Sequence, residues 1–229
     1  MSPRANVERL RGSAPVILPS LLVCDFGNLE REVRRLEAAG ARALHLDVMD
    51  GCFVPNITYG MPIVAALRRL TDLPLDVHLM IMDPAKYAEA FRDAGADLLT
   101  IHVESNGHAR TVLKQIRDLG MGTGIALDAA TPTSRIEGCL DLCDLILVMS
   151  VPAGFGRQPF DPTALDKLRN LRELAGERVM LEVDGGINRE TIQSCAQAGA
   201  GLFVVGSAIF SRDEYGPVLG ELTALARCC

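Results

Sequence analysis

Ala39-Gly40-Ala41-Arg42-Ala43-Leu44-His45-Leu46-Asp47 reads as the end of a helix, a glycine cap, a tight turn and a buried strand. Glycine ends a helix there because it takes the left-handed conformation without a Cβ clash. The unit recurs where Ala94-Gly95-Ala96 leads into Leu98-Leu99-Thr100-Ile101-His102, and where Ala198-Gly199-Ala200 leads into Leu202-Phe203-Val204-Val205. Working outward, eight apolar, β-branched-rich runs lie at 16–20, 43–48, 75–80, 98–103, 124–127, 145–150, 179–184 and 202–206. Stretches with helical spacing separate them, such as Leu29, Val33 and Leu36 before Gly40. Another begins at Asp83-Pro84, an N-cap followed by proline at the first helical position, and stops at Gly95. Strict alternation of strand and helix implies parallel strands with crossover helices. Eight units with no Pro/Gly/Ser-rich linker predict an α/β fold, a single (β/α)8 TIM barrel over residues 15–229, behind a flexible N-terminal leader over residues 1–14. An open doubly wound sheet is the second choice. No Gly-x-Gly-x-x-Gly follows the first strand, so a dinucleotide site has no support.

With 229 residues and 48% hydrophobic content the chain can bury a large core, and without Trp that core must be mainly aliphatic. Its net charge of −6, with no basic stripe, argues against a nucleic-acid partner. No apolar run reaches the roughly 20 residues that cross a bilayer, so no membrane role is expected. The opening residues lack a signal-peptide core, which predicts a cytoplasmic protein. The seven cysteines, at 24, 52, 139, 143, 195, 228 and 229, are odd in number and scattered, and read as reduced. Cys139 and Cys143 have helical spacing with no His nearby, and Cys228-Cys229 closes the chain, so both pairs read as structural or incidental.

The chemistry concentrates in His45-Leu46-Asp47-Val48-Met49-Asp50-Gly51. Residues two apart on a strand share a face, so His45 and Asp47 converge, with Met49 next above. Leu75-Asp76-Val77-His78-Leu79-Met80 repeats the device, and Leu181-Glu182-Val183-Asp184 ends on another carboxylate. In a barrel the active site lies at the carboxyl ends of the strands, where one divalent ion would meet His45, Asp47, His78 and Asp184. Two carboxylates across one metal suit proton transfer beside a carbonyl. One removes a carbon proton, the other returns a proton to the opposite face, and an enediolate is stabilised between the two events. That sequence inverts a stereocentre. Gly154-Phe155-Gly156, Gly185-Gly186 and Gly206-Ser207 follow the sixth, seventh and eighth runs, where backbone N–H groups can cradle a phosphate.

Taken in order, Pro19-Ser20, Asp25-Phe26, His45–Gly51, Phe53-Val54-Pro55-Asn56, Asp76–Met80, Ala130-Thr131-Pro132, Met149-Ser150-Val151, Gly154–Gly156 and Val183–Ile187 make the chain resemble the ribulose-phosphate 3-epimerase family from about Ile17 to Phe210. The resemblance implies a barrel of the ribulose-phosphate-binding type that interconverts D-ribulose 5-phosphate and D-xylulose 5-phosphate with one divalent metal ion per chain. His45, Asp47, His78 and Asp184 are the implied ligands, and Zn, Fe(II), Mn or Co suit that donor set. Asp47 and Asp184 are the implied catalytic pair, Asp47 taking the proton and Asp184 giving one. Ser20, His78, Gly154, Phe155, Gly156, Arg157, Gly185, Gly186, Gly206 and Ser207 are the implied substrate contacts. Met49, Met80 and Met149 would line the reaction centre. A homo-oligomer is also implied.

Four positions depart from the usual family pattern: Arg157 for a phosphate-side glycine, Cys52 for histidine, Val23 for a small polar residue, and Asp128-Ala129 for Asn-Pro. They leave a six-carbon ketose phosphate, of the allulose 6-phosphate type, as a second substrate class. A non-catalytic sugar-phosphate binding protein is a third reading. A 3-hexulose-6-phosphate synthase-type aldolase is disfavoured, because the Asp-x-Lys-x-x-Asp pattern is missing where His45-x-Asp47 stands. His102 and Glu104 read as packing or supporting groups, Asp50 as a turn cap, and Asp76 as a deeper structural acid.

Overall fold

Each apolar run forms a strand in the computed structural model, which describes residues 2–105 and 107–228, leaving Cys229 outside the described residues. The strands are β1 (Val16–Pro19), β2 (Leu44–Met49), β3 (Leu75–Met80), β4 (Leu98–His102), β5 (Gly122–Leu127), β6 (Leu145–Met149), β7 (Met180–Asp184) and β8 (Leu202–Val205). All pair in parallel in the order β1-β8-β7-β6-β5-β4-β3-β2, and an isolated bridge from Ser20 to His45 brings the two edges together. Around them run α1 (Pro3–Arg11), α2 (Leu29–Ala38), α3 (Met61–Leu70), α4 (Pro84–Ala94), α5 (Ala109–Asp118), α6 (Thr163–Ala175), α7 (Ile192–Gln197), α8 (Ser207–Phe210) and α9 (Tyr215–Arg227). Short 3₁₀ segments at Thr133–Arg135 and Glu137–Leu142 replace a helix between β5 and β6. The expected TIM barrel is the fold.

Alternation along each strand sorts the side chains. Leu44, Leu46 and Val48 of β2, and Leu75, Val77 and Leu79 of β3, turn outward and join Val33, Leu36, Val64, Leu67 and Phe91 from the helices in one aliphatic layer. Inside the ring a second cluster holds Leu18, Leu98, Ala126, Leu145, Leu147, Met180 and Leu202. That packed interior forms a floor on which the inward polar residues of β2, β3, β4 and β7 rest.

The leader expected over residues 1–14 is instead structured through α1. Ser2 Oγ accepts the Ala5 N–H at 3.3 Å and proline occupies the first turn, two start signals for a helix. Val7 and Leu10 are 0% and 2% exposed and join the interior cluster, closing the amino-terminal end of the barrel. Arg4 pairs with Asp144 at 2.5 Å, and Asn6 Nδ2 donates to Asp97 Oδ1 at 2.8 Å. Leu10→Ala is therefore expected to cost about 2–5 kcal/mol in urea unfolding, the range for opening a core cavity. A change near zero would return the segment to the status of a leader.

Stagger decides what happens at the mouth. Ser20, just past the end of β1, lies level with His45, the second residue of β2, so β2 rises beyond its neighbour. Its backbone there has no strand partner on that side. Instead the loop after β2 folds back. The Asp47 N–H donates to Tyr59 Oη at 3.1 Å, and the Asp47 carbonyl accepts from Thr58 Oγ1 at 2.7 Å. The segment bearing the key carboxylate is thereby locked in place.

Candidate functional site

Parallel register between β2 and β3 sets His45 opposite Asp76, and Asp47 opposite His78. On β7, Asp184 lies opposite Met149 of β6. Donor atoms of His45, Asp47, His78 and Asp184 lie within 4.8 Å of one another, so all four expected ligands converge. His45 Nε2 is 3.3 Å and His78 Nδ1 3.2 Å from the same Asp47 Oδ1. His45 Nδ1 is 2.6 Å from Asp76 Oδ2, which leaves its buried Nε2 facing the cluster with no hydrogen-bond partner. An orphaned imidazole nitrogen beside two carboxylates and a second imidazole is a donor set suited to a divalent ion. The residues fit the group that the sequence implies.

Electrostatics divide the two aspartates. Burial pushes the Asp47 carboxyl up, but the flanking His45 and His78 outweigh it and hold the group well below the usual carboxylate range. Burial and the nearby Asp47 charge raise Asp184 to about 7. Burial opposes protonation of His45, yet Asp47 and Asp76 together hold it well above the usual histidine range. Burial, helped by His102, brings His78 down to about 4. Beneath them burial and the Asp76 charge raise Glu182 to about 8. The metal-free cluster therefore retains protons where a cation would sit. Its two carboxyls are shifted in opposite directions, Asp47 downward and Asp184 upward.

Above the cluster opens a cavity of about 70 Å³, bounded by Ser20, Met49, Met80, Met149 and the glycine loops. Ser20 Oγ donates to Asp47 Oδ2 at 2.6 Å, so its hydroxyl touches the candidate base as well as the cavity. Met49, Met80 and Met149 are each at most 4% exposed and form part of the wall. Gly154, Phe155, Gly156, Arg157, Gly185, Gly186, Gly206 and Ser207 all line this space. Gly186 sits at φ +61°, and a Cβ there would lie 2.5 Å from the Phe160 nitrogen, so the loop closes only with glycine. Arg157 is, among the described residues, the one non-glycine at positive φ, at 63°. Of the other departures, Val23 lines the cavity, while Cys52 is exposed and its N–H donates to Asp50 Oδ1. Asp50 also accepts from the N–H groups of Phe53 and Met82, the turn-capping role expected of it.

Three contributors lay outside the expected site list. Tyr59 and Thr58 hold the free edge of β2, and Glu182 Oε1 approaches His45 Nδ1 at 3.3 Å. Glu182 had a signal, since it stands two before Asp184 on one strand and so shares its face. Tyr59 and Thr58 had none, because only the stagger of β2 against β1 exposes the backbone they serve.

A profile described as the Ribulose-phosphate 3 epimerase family matches residues 16–210. The chain is 47% identical over 209 residues to a ribulose-phosphate 3-epimerase of Synechocystis, covering 89% of this chain and 91% of the relative. It is 43% identical to that of Bacillus subtilis, covering 90% and 97%, and 41% identical to a chloroplastic ribulose-5-phosphate-3-epimerase of Arabidopsis thaliana, covering 97% and 81%. Among solved structures, a 3-keto-L-gulonate-6-phosphate decarboxylase from Vibrio cholerae superposes with a TM-score of 0.71 at 20% identity, covering 93% of this chain and 98% of that one. A 3-hexulose-6-phosphate synthase from Salmonella typhimurium gives 0.68 at 15% identity, covering 92% and 98%. These structural likenesses carry the fold alone.

Proposed function

We infer, because the chain belongs to the ribulose-phosphate 3-epimerase family, that this enzyme inverts C3 of D-ribulose 5-phosphate to give D-xylulose 5-phosphate. The observation that carries the mechanism is the convergence of Asp47 and Asp184, with opposed protonation tendencies, on one cation-ready cluster at the base of the cavity. Asp47, kept ionised, takes the C3 proton from one face. Asp184, whose hold on a proton burial and the Asp47 charge strengthen, delivers a proton to the other. Ser20 donates to Asp47 and so orients its free lone pair toward the substrate carbon. His45, Asp47, His78 and Asp184 would hold a divalent ion, which supplies charge stabilisation for the substrate oxygens while bound.

Met49, Met80 and Met149 surround the reacting carbon with polarisable, water-excluding groups. The glycine loops with Ser207 take the phosphate through backbone N–H groups, and Arg157 adds a charged donor on the same rim. Association into a homo-oligomer and a cytoplasmic setting belong to the same reading. Among the described residues no helix is long and apolar enough to cross a membrane.

Incubating metal-loaded protein with D-ribulose 5-phosphate in D2O and following C3 by NMR tests the reaction and its proton transfer together. Xylulose 5-phosphate carrying deuterium at C3 is the expected product. Metal bound with neither exchange nor product would move the substrate to six-carbon ketose phosphates, with Arg157 as the first residue to examine.

A further inference from the structure

A buried polar chain leads away from the four donors on the side of β4. His78 lies opposite Thr100 in the β3–β4 register, which brings His102, one inward step higher, alongside its ring. The two rings are fully buried and meet edge to edge, with centroids 5.0 Å apart and planes at 24°. His78 Nε2 is 2.8 Å from His102 Nε2. His102 Nδ1 is in turn 3.1 Å from Glu104 Oε2, and Glu104 Oε1 accepts the Asp128 N–H at 2.9 Å. Burial works against the Glu104 charge, but bonds from His102, Thr131 and Asp128 bring it down to about 2, so it is a carboxylate.

Hydrogen-bond arithmetic fixes the direction of this chain. A carboxylate only accepts, so Glu104 calls for an N–H on His102 Nδ1. A neutral imidazole carries one such proton, which leaves His102 Nε2 as an acceptor. The nitrogen facing it at 2.8 Å must then donate, placing the proton of His78 on Nε2 and a lone pair on Nδ1. His78 Nδ1 is the atom 3.2 Å from Asp47 Oδ1, inside the four-donor cluster. Run in reverse, the chain would set a lone pair of His102 against the Glu104 carboxylate. The forward direction sets the His78 lone pair against Asp47, a contact that a cation between them makes favourable.

We propose that His102 and Glu104 are positioning residues for the metal: Glu104 fixes the tautomer of His102, and His102 fixes that of His78, so that Nδ1 meets a divalent ion as a lone pair. The inference deepens the proposed function and rests on its metal-binding reading. Neither residue lines the cavity. Supporting partners of this kind change metal affinity by about 10- to 100-fold when removed.

Competition of the metal-free protein against a chelating dye for zinc and for cobalt tests it. His102→Phe keeps a buried aromatic ring but offers no acceptor, and is expected to weaken both metals by about 10- to 100-fold. His102→Gln returns a carbonyl acceptor to His78 and is expected to recover most of the loss. Glu104→Leu, at a partly exposed position, should move affinity in the same direction by less, and serves if the Phe variant does not fold. Affinity of His102→Phe equal to the parent, or of His102→Gln no better than Phe, would reduce His102 to packing and overturn the proposal. A parent protein with no affinity for either metal overturns the metal reading itself, a result that differs visibly from a loss confined to the variants.

Discussion

Replacing Asp184 by Asn is expected to lower epimerisation by about 10²- to 10⁴-fold, the span for losing a positioned acid or base, while the barrel stays folded. The side chain keeps its shape and loses only its proton chemistry and its charge toward a metal. Folding should tolerate the change for a stated reason. Burial and Asp47 raise Asp184 to about 7, so its ionisation costs the metal-free fold stability as pH rises through that value. The neutral amide removes that cost, and metal-free Asp184→Asn should melt no lower than the parent at pH 8. Asp47 is the opposite case, since His45 and His78 hold its charge in place and neutralising it would strand two buried imidazoles. With Asp47 intact, the Asn variant is also expected to exchange the C3 hydrogen of ribulose 5-phosphate with solvent faster than it releases product. Turnover equal to the parent would remove Asp184 from the acid/base pair.

Much of this site could be read before any coordinates, because it depends on strand periodicity. His45, Asp47 and Met49 share a face by alternation alone, as do Asp76, His78 and Met80, and the glycine caps at Gly40, Gly95 and Gly199 marked where the strands begin. What alternation could not supply is height. His45 is the second residue of β2, yet it belongs to the mouth because the stagger sets it level with Ser20, beyond the end of β1. The same stagger recruits Thr58 and Tyr59, whose role follows from a backbone edge that no local pattern records. The N-terminal helix is a different kind of miss. Ser2-Pro3 and the Val7–Leu10 spacing were present, but nine residues rich in arginine gain stability only from the barrel floor they cover. Asp76 lies deeper in the barrel, as its place two before His78 implies, and its carboxylate also fixes which nitrogen of His45 is free.

Stripping divalent metal with a chelator is expected to abolish turnover, and its effect on thermal stability should grow between pH 6 and pH 8. Three groups set the sign. Asp184 and Glu182 are raised to about 7 and about 8, so between roughly pH 4 and pH 8 the metal-free native state holds protons that the unfolded chain has lost. His45, held well above the usual histidine range, adds to the same imbalance above about pH 6.5. Stability falls with pH wherever the native state binds more protons, so the metal-free barrel weakens across this window. Asp47 and His78 pull the other way: the Asp47 contribution is complete above the unfolded carboxyl range, and that of His78, lowered to about 4, is nearly complete once pH passes about 6.5, so above it the three raised groups set the trend. A divalent ion displaces the protons on Asp184 and on His45 Nε2, each worth about 1.4 kcal/mol of affinity per pH unit while it titrates. Metal at 100 times its Kd adds about 2.7 kcal/mol, or about 5–10 °C for a chain of this size. Calorimetry of metal-free and metal-loaded protein at both pH values measures the difference. A gap that narrows at pH 8, or a melting temperature indifferent to zinc, manganese, cobalt and Fe(II), would sink the four-donor site.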